Sequence, residues 1–387
     1  MNVERIREEF PLTKDYIYFN NAATGACSTH VAEALKEYAE ARLTLGQEAS
    51  LWNERIVESK RLFAKLIGAK ESEIAFIPNT TAGLNTISSM VCTRKGNVVT
   101  TDIGFPSNVL VWLKHGHIET RLAKSRENKV PLEEISRHID GDTIAVAVDQ
   151  VGWFNGFKHD LKALGEEAHK KGAYFVVDAI QSVGSMKIDV RRDEIDFLSA
   201  GSYKWLLGPP GAGFLYVRED LIDEFVPPFP SINSMDEEQL DRNIYDAFDL
   251  YQLKFSGKVQ RYELGTISDA SCAGTWASMK MILELGIDQI EERLRELDQY
   301  LVDHLEELHM PMQSPREEQS RHGIVNFKIK NNRELEKRLR AKKIVVSARV
   351  GGIRVSPDFF NTEDEIDRFV EALREQLQQK EYRCMPT

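Results

Sequence analysis

The chain has little cysteine. Cys27, Cys92, Cys272 and Cys384 stand far apart among 387 residues, and no CxxC pair occurs. Such spacing supplies neither a disulfide framework nor a zinc site, and it predicts a reducing, cytoplasmic setting. Apolar runs are short. None approaches the length of a membrane span, and Met1-Asn2-Val3-Glu4-Arg5 lacks the apolar core of a signal peptide, so no membrane partner is expected. Positive charge is also in deficit. The formal net charge is -11 and no Lys/Arg-rich block stands out, which argues against nucleic acid as a partner.

Several motifs are missing as well. Gly208-Pro209-Pro210-Gly211-Ala212-Gly213 is not GxGxxG and precedes a strand candidate rather than a helix, so it reads as a tight turn. His115-Gly116-His117 has no Cys, Asp or Glu at metal-ligand spacing and reads as a surface pair at a helix end. No GxSxG elbow, HExxH helix or GKS/T loop appears.

What is present is a regular alternation. Hydrophobic residues make up 42% of the chain, enough for a substantial core. Strand candidates fall at Glu73–Ile77, Asn97–Thr101, Ile118–Ala123, Thr143–Val148, Ala173–Val177, Ile195–Ser199 and Gly213–Val217. Helical stretches lie between many of them, at Val31–Leu45, Ile56–Ile67, Ala82–Val91, Ser107–His115, Leu132–His138 and Leu161–Lys170. This predicts an α/β class with a mostly parallel seven-stranded sheet, both faces covered. The segment Phe229–Gly257 has no clear period. Helices are then expected at Cys272–Leu285, Ile287–Glu307, Arg333–Ala341 and Glu363–Gln379, with strands at Ile324–Lys328, Ile344–Ser347 and Gly352–Ser356. The expected division is an N-terminal segment over 1–25 packing with the small domain, a large domain over 26–265, and a smaller α+β C-terminal domain over 266–387.

Two of the apolar runs end in reactive groups. Tyr174-Phe175-Val176-Val177-Asp178 ends in a carboxylate, and the run from Asp196 to Gly201 leads through Ser202-Tyr203 to Lys204. Neighbouring strands ending this way would fix an acid and an amine at one sheet edge. Pyridoxal phosphate needs that pair: an amine to hold its aldehyde and an acid to keep its ring nitrogen protonated. Taken singly, Asp178 reads as a helix cap and Lys204 as a solvated loop lysine. Asn79-Thr80-Thr81-Ala82-Gly83 suits a phosphate at a helix start, or an ordinary capping turn. Phe105-Pro106-Ser107-Asn108 offers a flat ring for stacking, though by itself it reads as a core Phe before a helix-starting proline.

Together these segments resemble the class V aminotransferase family of fold-type I pyridoxal phosphate enzymes, which includes cysteine desulfurases, kynureninases and isopenicillin N epimerase-like proteins. The resemblance runs from about Tyr18 to Phe369. It is carried by Phe19-Asn20-Asn21-Ala22-Ala23, Asn79-Thr80-Thr81-Ala82-Gly83, Asp178-Ala179-Ile180-Gln181, Ser202-Tyr203-Lys204-Trp205, Glu263-Leu264-Gly265-Thr266, and Arg354 before Asn361-Thr362. It implies pyridoxal 5'-phosphate as cofactor, with Lys204 as the Schiff-base lysine that also moves the substrate Cα proton. It implies Asp178 at the ring nitrogen, Gln181 near the phenolic oxygen, Phe105 stacking, and Thr80, Thr81 and Tyr203 at the phosphate. Trp153 would neighbour the cofactor. Asn21, Ala22 and Arg354 would meet the substrate, Arg354 through its α-carboxylate. Thr266 would reach the phosphate of the other subunit, so a homodimer is expected. The expected partners are a small amino acid and a keto acid.

The chain also departs from the family. A desulfurase needs a nucleophilic cysteine shortly before the carboxylate-binding arginine, and Val345–Arg354 contains none. Trp153 stands where desulfurases place an asparagine, and Phe105 replaces their stacking histidine. Arg349 is an extra cation near Arg354, read first as a surface residue and otherwise as a partner for a second acid on the substrate. These features favour a class V aminotransferase. A β-eliminating C–S lyase and an amino-acid epimerase are the alternatives.

Overall fold

The structure, a computed structural model, describes residues 1–46, 50–238 and 254–378. Cys384, Gln379 and the stretch 239–253, within the irregular segment expected at Phe229–Gly257, lie outside them. A short helix, α1 (Val3–Glu8), and a two-residue strand, β1 (Ile17–Tyr18), come first. The helices α2 (Thr29–Leu45) and α3 (Ser50–Ile67) follow. Then comes a seven-stranded sheet made of β2 (Ile74–Ile77), β3 (Asn97–Thr101), β4 (Glu119–Ala123), β5 (Thr143–Asp149), β6 (Tyr174–Asp178), β7 (Phe197–Gly201) and β8 (Gly213–Val217). Helices α4 (Thr80–Val91), α5 (Pro106–Leu113), α6 (Leu132–Ser136) and α7 (Leu161–His169) occupy the connections.

The strand order is β2-β8-β7-β6-β5-β3-β4. Strands β7, β6, β5, β3 and β4 run parallel, whereas β8 is antiparallel to both β2 and β7. Every residue of β5, β6, β7 and β8 is buried. Alternate side chains supply separate cores. Val146, Phe175, Val177, Leu198 and Phe214 face one side. Ala145, Val176, Phe197 and Leu215 face the other. A sheet covered on both faces leaves no polar positions, which is why these strands are unbroken apolar runs.

Beyond the sheet lie α8 (Asp269–Leu285), α9 (Ile287–Glu307), β9 (Val325–Lys328), α10 (Asn332–Ala341), β10 (Ile344–Val345), β11 (Ser347–Arg349), β12 (Gly352–Val355) and α11 (Glu363–Leu377). A third core unites Leu297, Leu301 and Leu305, one face of α9, with Phe327, Ile353 and Phe369. Thr362 and Glu365 close a capping box at the start of α11. The run expected as one strand at Ile344–Ser347 is divided between two sheets. β10 pairs in parallel with β1, Ile17 opposite Ile344, while β11 joins β12 and β9. Among the described residues no helix is long and apolar enough to cross a membrane.

Candidate active site

The carboxyl edge of the large sheet carries two acids. β5 ends at Asp149 and β6 at Asp178, and these residues are register partners. Both are buried. Asp178 Oδ1 accepts a hydrogen bond from Ile180 N at 3.0 Å. Asp149 accepts one from Phe105 N at 2.9 Å and another from the Asn108 side-chain amide. Burial, then the nearby Asp149 charge, pushes the Asp178 carboxyl above the usual range. Burial does the same to Asp149, against the pull of its hydrogen bonds.

Lys204 follows β7 by three residues and is 7% exposed. Its amine makes no ion pair among the described residues. Burial holds its proton affinity below the ordinary lysine range. The Asp178 and Asp149 charges oppose that shift, while those of Arg354 and Arg349 add to it. Nζ lies 5.7 Å from the Phe105 ring centre and 5.8 Å from that of Tyr203. Phe105 is 38% exposed, so it is not a core residue, and it meets Trp153 edge-to-face at 5.7 Å.

The turn bearing Lys204 is fixed from two directions. Ser202 Oγ donates to the carbonyls of Pro209 and Ala212, at 2.6 and 2.8 Å, which accounts for the glycine-proline turn that follows. Gly25 N donates to Tyr203 O at 2.8 Å, and a Cβ on Gly25 would sit 2.1 Å from the Lys204 carbonyl oxygen, so only glycine fits there.

Helix α4 begins at Thr80, two residues earlier than its apolar pattern indicates, because Asn79 Oδ1 caps Ala82 N at 2.9 Å. Thr80 Oγ1 accepts from Gly201 N, and Thr80 O accepts from Ser199 Oγ, each at 2.9 Å. Gly83 packs directly on β7, where a Cβ would come within 2.2 Å of Ser199 Oγ. These contacts pin the helix start beside the turn to Lys204. The N–H groups of Thr80 and Thr81 have no partner within the described chain. Thr81 Oγ1 donates to Ser107 Oγ at 3.0 Å.

The remaining sequence-predicted residues divide into those that converge and those that do not. Gln181 Nε2 donates to Ala22 O at 3.1 Å and Gln181 Oε1 accepts from Trp205 Nε1 at 2.8 Å, so its amide bridges the N-terminal segment to the Lys204 turn. Asn21 is fully buried and its Nδ2 donates to Ser356 O at 3.0 Å, next to β12. Arg354 is buried on β12, and its Nη1 donates to Trp153 O at 2.6 Å. Arg349 is half-buried on β11. Thr266 is exposed in the loop just before α8, and no described contact joins it to Lys204.

Sequence reasoning missed Asp149, Asn108 and Ser107. The signal for Asp149 was available: like Asp178, it ends an unbroken apolar run.

Comparison with known proteins bears on this arrangement. The family model described as "Aminotransferase class-V" matches residues 17–369. An uncharacterized aminotransferase of Bacillus subtilis, YcbU, is 28% identical, covering 96% of this chain and 97% of its own. A probable cysteine desulfurase of Pyrococcus abyssi is 30% identical, covering 96% and 97% respectively. The apo structure of a cysteine desulfurase from Thermococcus onnurineus superposes with a TM-score of 0.88 at 27% identity, over 97% of this chain and 98% of that one.

Proposed function

With the chain a member of the class V aminotransferase family, whose cofactor is pyridoxal 5'-phosphate, we propose that it is an aminotransferase acting at Cα of a small amino acid through Lys204. The observation that carries this reading is a buried amine with no ion-pair partner among the described residues, on which the charges of Asp178, Arg354 and Asp149 all act.

The residues present fit the cofactor. The N–H groups of Thr80 and Thr81, unpaired among the described residues, would with the Thr81 hydroxyl hold a phosphate at the start of α4. The partly exposed Phe105 face would cover a planar ring. Bound there, pyridoxal phosphate supplies an electron sink for the pair released at Cα. Asp178 would keep a ring nitrogen protonated, and its one described hydrogen bond, from Ile180 N, fixes its aim. Lys204 would hold the cofactor's aldehyde and, once displaced by the substrate amine, take and return the Cα proton. Its depressed proton affinity makes the neutral base accessible near pH 7. Arg354 would clamp the α-carboxylate with its planar fork. Thr266 would complete the phosphate site of a second subunit in a homodimer.

A β-eliminating C–S lyase is the second reading, favoured by the 30% identity to a probable cysteine desulfurase. The loop before Arg354 offers no persulfide nucleophile, since Val345–Arg354 lacks cysteine, and Cys92 and Cys272 are buried whereas Cys27 is exposed. The test is a visible spectrum before and after borohydride, followed by an amino-acid screen with and without a keto acid. A bleached chromophore mapped to Lys204, with turnover that requires the keto acid, is expected. Pyruvate and ammonia released without a keto acid would replace transamination by elimination. A protein that binds no pyridoxal phosphate would overturn the reading.

A further inference from the structure

Resting on that reading, we propose that the site selects amino acids that carry a second acidic group on a short side chain, with Arg354 taking one acid and Arg349 the other. The argument starts from strand register. In the antiparallel pair β11–β12, Ser347 lies opposite Arg354 and Arg349 opposite Gly352. Alternate residues of a strand share a face, so both arginines belong to one face of this hairpin. The charges of both arginines act on Lys204, and Arg354 Nη1 donates to the carbonyl of Trp153, whose ring meets that of Phe105, 5.7 Å from Lys204 Nζ.

The hairpin is held in place. Gln313 Nε2 donates to Val350 O at 3.1 Å, and Asn326 Nδ2 donates to Phe154 O at 2.8 Å. Its two guanidiniums nevertheless lack acids. The described hydrogen bond of Arg349 runs from Nη1 to Ala348 O at 2.8 Å, and no described carboxylate pairs with it. Arg354 is 3% exposed, has no acid partner among the described residues, and leaves Nε unpaired. Burial, then the Arg349 charge, makes the charge of Arg354 costlier, and both arginines bear on Lys204. Guanidiniums held this way, one buried and one half-buried, are unfavourable until anions meet them. A single α-carboxylate satisfies one of them. The acids that also act on Lys204, Asp149 and Asp178, are engaged by backbone N–H groups at the sheet edge. The surplus charge therefore calls for a second acid from the ligand.

The test uses succinate and butyrate, which share a chain length and differ by one carboxylate. Neither has an amine, so binding is read independently of turnover. Isothermal titration of the cofactor-loaded and cofactor-free protein should show succinate binding at least ~20-fold more tightly, the order expected of one charge-assisted contact. R349Q should bring the ratio to within about threefold, and R349K should restore part of it. Equal binding of the two acids, absence of binding by both, or a ratio unchanged in R349Q overturns the proposal. Selective succinate binding by a protein that fails to transaminate would leave this inference standing and remove only the reading beneath it.

Discussion

The two sheets present opposite charge to Lys204 and hold it in different ways. The large sheet supplies acids, and each is tied to backbone: Asp178 to Ile180 N, Asp149 to Phe105 N. The small sheet supplies arginines, whose described bonds end on carbonyl oxygens, at Trp153 and Ala348. The acidic side is thus anchored to the backbone before any ligand arrives, whereas the basic side is left under-bonded. Geometry that must hold a cofactor through every turnover is built in. Geometry that must release a product is left for the ligand to satisfy.

Breaking the acidic side should cost turnover; breaking the basic side should cost binding. The largest effect belongs to K204A, which should lower kcat by ~10^4-fold or more and abolish the borohydride-fixed adduct, read by mass spectrometry. D178N comes next, with kcat falling by ~10^2 to 10^4-fold and the substrate KM little changed. R354Q should show the reverse pattern in steady-state kinetics, raising KM by ~100-fold with a smaller change in kcat, because it removes a charge-assisted contact. If R354Q lowered kcat alone, the contrast between the sides would fail. G83A probes the scaffold under both. Its Cβ would meet Ser199 Oγ at 2.2 Å, so overpacking should destabilise by about 1–3 kcal/mol in a denaturant titration.

The smallest effect lies away from the site. Asp196, then Glu194, hydrogen-bonds His169 and raises its affinity for a proton. A group whose folded value is raised stabilises fully below the unfolded value of about 6.5 and loses that contribution as pH rises through the folded value. H169Q should therefore lower Tm more at pH 5.5 than at pH 8.5, by roughly 1–2 °C, since the site is half open to solvent.

The sequence made some of this legible and hid the rest for physical reasons. Asp178 and Lys204 could be read because each closes an apolar run, and a strand end is where a fixed side chain meets solvent. Asp149 obeys the same rule, but the expected strand stopped at Val148, one residue short. The antiparallel course of β8 was hidden because a fully buried strand carries no alternation, and a run such as Gly213–Val217 looks the same in either direction. The division of Ile344–Arg349 between two sheets was hidden too, since a continuous Ile/Val run does not mark where the chain changes partners. The half-burial of Arg349 follows from pairing register, which single-strand periodicity does not contain.

One contact has a bearing on how the chain is made. Strand β1 finds its partner in β10, with Ile17 opposite Ile344, and the segment just after β1 packs Gly25 against the Lys204 carbonyl. During synthesis the large sheet can assemble as it leaves the ribosome, but this early strand has no neighbour until the small sheet emerges. Closing so long a loop is entropically costly and slow. Lys204 therefore acquires its final enclosure last, and a nascent chain stalled before residue 344 would have the sheet edge without that wall.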